Sequence, residues 1–350
     1  NLIITGDPKS LDPAQSTDIR TGKICALLFD TLVRYGHSTD ILPGIAKNWE
    51  IINLGKTYIF NLYSDIKFHN GTLLTANHVK SSFERVLNPE KKSPRTWLFD
   101  NVLGAKQYRT REREEVSGFE VVNDSTFLVH LKTPFSPFLG FLAMPAASIL
   151  LIDKTDKPIG TGPWRLIDRM IDGHLFFERN NNYFNGTPKL KHLKIRVLPE
   201  ALPRTAEFIT GYLDIMEIPI AEYELWENDN RWKEQITQQN ELNTYYIGLN
   251  CSRAPFNNIK VRQALNYAID KENIILWLFN GKGTPASGPI PPELLGNTTP
   301  TYHYDPQRAR KMLVEAGYKD GFKVSLWQSQ SQENLLITEV IQSQLEKIGV

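Results

Sequence analysis

Cysteine is scarce in this chain: Cys25 and Cys251 are the only two in 350 residues. No CxxC pair exists to hold zinc or cycle a disulfide, and a chain of this length buries a core without covalent staples. Two free buried thiols are therefore expected. The signatures of common chemistries are missing too. There is neither a GxGxxG nor a complete Walker GxxxxGK[ST] phosphate loop, no GxSxG elbow, and no HExxH among the seven histidines. Asp65 and His69 stand close enough to imitate part of a hydrolytic triad, a spacing that chance often produces. No apolar run approaches the roughly 20 residues needed to span a bilayer. The longest apolar stretch, residues 138–152, is interrupted by Gly140 and Pro145 and reads as a buried loop or short helix. A formal charge of +1 offers no field to draw nucleic acid or an anionic membrane. Glycine and proline are scattered, so no low-complexity linker divides the chain. The chain opens at Asn1 on strand-like residues, as a mature or trimmed polypeptide would.

What is present is an ordinary globular composition, 41% hydrophobic and 23% charged, with enough aromatic residues (11%) for a core and for an aromatic-lined cleft. The length suggests about two or three domains. Residues 2–5 read as a strand. Residues 6–13 form a loop shaped by Pro8 and Pro13. Residues 21–35 carry Ile24, Leu27, Leu28, Leu32 and Val33 on one side of a predicted helix. Between residues 49 and 69 the period shifts to two, the mark of sheet strands. Asn70-Gly71 is a turn, and Thr75 is a cap for a helix over 76–87 that Pro89 closes. The charge-dense stretch 109–115 reads as solvated surface. Residues 119–122 and 126–131 form a hairpin around Asn123-Asp124-Ser125. Strands are predicted at 175–179, 193–198, 214–218 and 245–250, and a helix at 205–211. Residues 255–270 spell a helix entered through a polar turn, with Val261, Leu265, Ala268 and Ile269 at helical spacing. Asp305 caps a helix that begins at Pro306 and ends at Gly317. A strand at 322–327, a helix at 333–348 and Gly349-Val350 as the entry to another strand complete a βαβ pattern. A parallel strand needs its neighbour, so the natural polypeptide is expected to run on.

Several stretches, in order, resemble one family, the extracellular solute-binding proteins of family 5, which serve ABC importers of peptides and nickel. They are Ser10-Leu11-Asp12-Pro13, Leu28-Phe29-Asp30-Thr31-Leu32-Val33 and Leu42-Pro43-Gly44-Ile45-Ala46-Lys47-Asn48-Trp49-Glu50. Thr57-Tyr58-Ile59-Phe60-Asn61-Leu62 follows with residues 66–76, then Gly160-Thr161-Gly162-Pro163-Trp164 and Tyr183-Phe184-Asn185-Gly186. Residues 250–270 resemble the family's text around its N-x-x-x-P-F element, with Asn258 and Lys260 replacing an acid and an arginine. Each piece alone is modest. The ordered set is specific and covers essentially the whole chain.

The resemblance implies an α/β, two-lobed periplasmic-binding-protein fold of type II, with an extra mixed subdomain in lobe one. Residues 1–24 and 153–244 would form the lobe-one core, 25–152 the inserted subdomain, 245–250 the hinge crossing and 251–350 a partial lobe two. It implies binding rather than catalysis. A peptide or other small solute would be held by closure of the lobes and passed to an ABC permease, by a monomer that is periplasmic or otherwise extracytoplasmic, with a lipid anchor as an option, and that uses no cofactor, metal or nucleic acid. The same fold could instead take a nickel chelate, haem or an oligosaccharide; a hydrolase using Asp65 and His69 is the alternative from another class. The implied ligand contacts are Ser16, Thr17 and Ile19 in the loop after Pro13, Trp97 as an aromatic, and Tyr245 and Tyr246 at the crossing. Gly248 stands where some oligopeptide binders carry an acid, and the aspartate that pairs with a peptide amino group in such relatives would lie beyond residue 350.

Overall fold

Residues 1–8, 10–36, 40–152, 158–169, 174–239, 241–291, 294, 302–329 and 331–350 are described in the computed structural model of the chain, and they fall into two units, Asn1–Met216 and Glu217–Val350. The first unit runs through β1 (Leu2–Ile4), α1 (Ile19–Leu28), β2 (Val33–Tyr35), β3 (Ile41–Pro43), β4 (Ala46–Ile52), β5 (Thr57–Leu62), α2 (Ala76–Leu87), α3 (Ala105–Arg109), β6 (Phe119–Asn123), β7 (Thr126–His130), α4 (Phe138–Leu142), β8 (Leu151–Ile152), β9 (Pro158–Ile159), β10 (Trp164–Arg169), β11 (Leu175–Arg179), β12 (His192–Val197) and α5 (Ala201–Ile209).

Two four-stranded sheets organise this unit. One has the order β1-β12-β11-β10. Its β1 lies parallel to β12, with Leu2 opposite Ile195, and its other pairs are antiparallel. α1 covers it with Ile24, Cys25 and Leu28, which recur at helical spacing and pack among Ile4, Leu175, Phe177, Leu193 and Ile195. The other sheet, β4-β5-β7-β6, is wholly antiparallel. Tyr58, Phe60 and Leu62 alternate inward along β5, as a period of two demands. α2 lays Val79, Phe83, Val86 and Leu87 into the same core. There Phe83 meets Phe99 at 4.8 Å and Phe119 at 5.5 Å, and Phe99 stands edge-on to Phe119. Each such fully buried ring contributes roughly 2–3 kcal/mol of burial free energy, so this aromatic cluster anchors the sheet to its helix.

The α2 start carries one local substitution of parts. His78 Nδ1 accepts the Thr75 backbone N–H at 3.0 Å, the place a capping box usually gives to Glu or Gln. The helix bounds match the sequence reading. The predicted helix over 21–35 does not: α1 stops at Leu28 and the chain turns extended at Phe29. The cause is tertiary. The Leu28 carbonyl accepts the Gly162 N–H, and the Thr31 and Leu32 carbonyls accept N–H groups of residues 44–46, so this backbone is claimed by neighbours rather than by a further helical turn. The helix read at 205–211 begins earlier, at Ala201, and ends before Gly211, whose φ of 77° suits glycine.

The second unit is helical among its described residues: α6 (Tyr223–Glu227), α7 (Ile259–Ala268), α8 (Lys271–Leu278), α9 (Pro306–Glu315) and α10 (Gln332–Glu346). α7 and α9 pack through Val261, Ala264, Leu265 and Ala268 against Ala309 and Leu313. Asp305 caps α9 by accepting the Arg308 N–H at 2.9 Å. The strands expected at 214–218, 245–250 and 322–327 are not formed among the described residues. Apolar alternation makes a segment fit for a sheet, but a strand exists only where a neighbour exchanges a ladder of backbone hydrogen bonds; among the described residues 214–218 and 322–327 make single bonds of this kind, from Asp214 to Asn1 and from Phe322 to Gly349, and no ladder forms.

Candidate functional site

The loop between β1 and α1 is held in shape by polar groups. Asp12 accepts the Ala14 N–H at 3.0 Å and starts a short turn over Pro13–Gln15. Arg85, on α2, grips both oxygens of Asp12. Both side chains are largely shielded, so this pair sets geometry more than it adds stability. Ser93 Oγ donates to the Ala14 carbonyl and Gln15 Nε2 to the Lys91 carbonyl at 2.7 Å. Arg95 Nε donates to the Ser16 carbonyl at 2.8 Å. Four contacts thus tie residues 12–16 to residues 85–95.

Of the expected contacts, this clamp brings Ser16 and Trp97 together around Arg95, with Thr17 and Ile19 following Ser16 in the chain. Ser16 is buried, with its carbonyl on Arg95. Trp97 is 38% exposed and lies 5.9 Å from the Arg95 guanidinium, with its ring edge-on to Phe141. Thr17 is exposed beside Ser16. Ile19 is 69% exposed at the start of α1, an apolar side chain offered to solvent. Asp18 caps that helix through Thr21, whose N–H and hydroxyl it accepts at 3.0 and 2.8 Å. Burial works to raise the Asp18 pKa, but the Thr21 hydrogen bonds and the Arg20 charge leave it below the usual carboxylate value.

In the second unit, Tyr245 donates its hydroxyl to Glu333 at 3.0 Å, and its ring lies 5.7 Å from Phe279. Burial, followed by the Glu333 charge, pushes the Tyr245 phenol up to about 12. Tyr246 is 84% exposed. Gly248 offers no side chain.

The signature motifs of the first unit meet somewhere else, at Asp30. Its carboxylate accepts the Thr161 hydroxyl at 2.7 Å and the Tyr183 hydroxyl at 2.9 Å. Burial raises the Asp30 pKa above the usual carboxylate value, opposed by those two hydrogen bonds and the Arg34 charge. The Gly160-Thr161-Gly162 backbone lies against Leu28 so closely that a Cβ on Gly160 would fall 1.8 Å from the Leu28 carbonyl oxygen. His69 donates its Nε2–H to the Gly162 carbonyl at 3.0 Å, and burial lowers its pKa. His69 therefore braces the glycine loop, while Asp65 is exposed, and the triad fragment is not assembled. These motif residues are structural cement. Among the described residues no group of three His, Cys, Asp or Glu side chains converges to hold a metal, and no helix is long and apolar enough to cross a membrane. Both cysteines are free; Cys25 is buried as expected, whereas Cys251 is exposed.

Against this geometry, the model of the bacterial extracellular solute-binding proteins, family 5 middle, matches residues 40–350. The chain belongs to this family. Among curated family 5 relatives, haem-binding protein A of Haemophilus influenzae is 33% identical over 343 residues, covering 89% of this chain and 61% of that protein. The dipeptide-binding protein of Escherichia coli is 30% identical over 378 residues, covering 99% of this chain and 69% of that protein. The chain spans about two thirds of the length of these relatives. Of solved structures, the murein tripeptide binding protein MppA of Escherichia coli superposes with a TM-score of 0.87 at 23% identity, over 99% of this chain and 72% of the other. DppA of Helicobacter pylori, solved with the peptide STSA, gives 0.82 at 27% identity, over 99% and 72%. The fold is that of the type II periplasmic binding proteins.

Arg85, Arg95 and Glu333 were not legible as site residues. Their roles come from partners 73, 79 and 88 residues away in the chain, and no local motif marks them.

Proposed function

We propose that the protein of which this chain is part captures peptides outside the cytoplasm and hands them to an ABC permease, without catalysing a reaction. The observation that carries this reading is the match of 99% of the chain to a dipeptide-binding relative at 30% identity. The site geometry agrees with it. The loop at residues 12–19 is pre-shaped by its polar clamp and presents backbone, hydroxyl and apolar groups together, which suits a guest with a repeating backbone and variable side chains. We assign Ser16, Thr17, Ile19, Trp97, Tyr245 and Tyr246 as ligand contacts. Uptake would proceed by closure of two lobes, the ligand's higher affinity for the closed state supplying the free energy. Residues 1–24 and 153–244 are assigned to the lobe-one core, 25–152 to an inserted subdomain, 245–250 to the crossing and 251–350 to lobe two. The separate hydrophobic cores around Phe177 and Phe83 support the division inside lobe one, which this assignment carries past the boundary at Met216.

Calorimetric titration of the full-length protein with a library of short peptides tests the reading; heats from di- to pentapeptides support it, and silence across the library removes it. A second reading, haem capture, is favoured by the 33% identity to haem-binding protein A. A Soret band in protein purified from haem-supplemented cells, with no peptide in the mass spectrum of the released ligand, would select it.

A further inference from the structure

Several partly shielded arginines of the first unit face a carboxylate; of those that do not, Arg179 spends its guanidinium on Asn181, Pro188 and Lys189 and Arg204 keeps a buried Nε without a partner among the described residues, whereas Arg95 stands in the contact loop's clamp. Arg85 faces Asp12, Arg165 faces Glu178, Arg169 faces Asp7 and Arg196 faces Glu207. Arg95 is half-buried too, yet no carboxylate among the described residues lies within ion-pair range of it. Its Nε is committed to the Ser16 carbonyl at 2.8 Å, and its guanidinium stands 5.9 Å from the Trp97 ring centroid. Its backbone is pinned as well, with the N–H donating to Ser93 Oγ at 3.1 Å.

A partly desolvated cation with no counter-charge is costly to keep, and one that is held by its Nε and stands beside a tryptophan is oriented as well as charged. The two terminal nitrogens of that fork have no partner in the described residues. They present the flat, paired donors that match a carboxylate bidentately. Exposed Lys92, three residues earlier, keeps the local field positive. Thr17 and Ile19 follow directly on the residue that Arg95 holds.

We infer that Arg95 is an anion receiver that selects ligands with a free carboxylate, docked between its guanidinium edge and the Trp97 face. The inference rests on the solute-binding reading above and names the group by which the solute is recognised.

The test uses full-length protein, tri-alanine and tri-alanine C-terminal amide, titrated by calorimetry into wild type, Arg95→Gln and Arg95→Lys. The amide keeps one carbonyl acceptor and loses about one charge-assisted hydrogen bond, which corresponds to a preference for the acid of about 10- to 100-fold in wild type. Arg95→Gln also gives up the Ser16 contact and should weaken both forms, but the acid by a further 10- to 100-fold, so that the preference disappears; Arg95→Lys, which keeps the charge without the fork, should retain part of it. Equal weakening of acid and amide by Arg95→Gln would show a purely structural arginine and overturn the inference. A wild-type protein that binds both forms equally, or a variant that still prefers the acid, overturns it with peptide binding intact. Failure of wild type to bind either form would instead strike the peptide reading and carry this assignment down with it.

Discussion

Gly160→Ala tests whether the glycine loop is required for its close approach. Gly160 has no left-handed φ, so conformation alone does not demand glycine there. What demands it is space: the added methyl would meet the Leu28 carbonyl oxygen at 1.8 Å, the Leu28 carbonyl carbon at 2.8 Å and the Phe29 ring at 2.7 Å. Two of these are backbone atoms and cannot swing away. The Gly160 carbonyl also accepts the His69 N–H at 2.8 Å, and the Leu28 carbonyl accepts the Gly162 N–H at 3.0 Å, so pushing the strands apart strains both. Overpacking costs typically 1–3 kcal/mol, and each weakened hydrogen bond about 1 kcal/mol. A loss of about 3 kcal/mol is expected, a large share of the 5–15 kcal/mol that holds a typical domain. Gly71→Ala is the control. Its φ is 87° but nothing lies within 4 Å of the new methyl, so it should cost about 1 kcal/mol. Urea unfolding followed by circular dichroism gives the free energies, and hydrogen exchange of residues 24–36 and 158–169 localises the loss. If Gly160→Ala unfolds within 1 kcal/mol of wild type, or Gly71→Ala proves as damaging, the close-approach argument is wrong.

Asp30→Asn should change how the first unit responds to pH. The native carboxyl holds its proton more tightly than the unfolded one, so its contribution is greatest below the ordinary value of 3.8 and declines as pH rises through the raised native value. Urea midpoints should fall as pH rises above the ordinary value of 3.8 in wild type and less so in the variant; identical slopes would refute it. Cys25, pushed up to about 12 chiefly by burial, should resist a thiol reagent at pH 8 until the protein unfolds, while exposed Cys251 reacts at once. Native protein should titrate one thiol, and Cys251→Ser none.

The parts of this fold readable from the sequence were those decided locally. Thr75 and Pro89 bracket α2, Asp305 and Pro306 open α9, and alternation along Thr57–Leu62 gives a strand, because capping groups and periodicity act within a few residues. Where the reading failed, a distant group had the deciding influence. Leu28 ends α1 because Gly162 takes its carbonyl. Residues 245–250 and 322–327 have strand-like residues and no ladder partner. The candidate contacts followed the same division. Ser16, Thr17 and Ile19 were identified by resemblance of their loop, but the arginine that fixes that loop is supplied by residues near α2, and only the folded chain shows it.

The parallel pairing of Leu2 with Ile195 has a consequence for how the protein is made. At roughly 5–20 residues per second, a ribosome needs on the order of 10–40 s after translating β1 before it has delivered β12. Meanwhile the antiparallel sheet of β4 to β7, whose partners are all emitted in between, has everything it needs to form. β1 must therefore wait for its parallel partner while the middle of the molecule matures first.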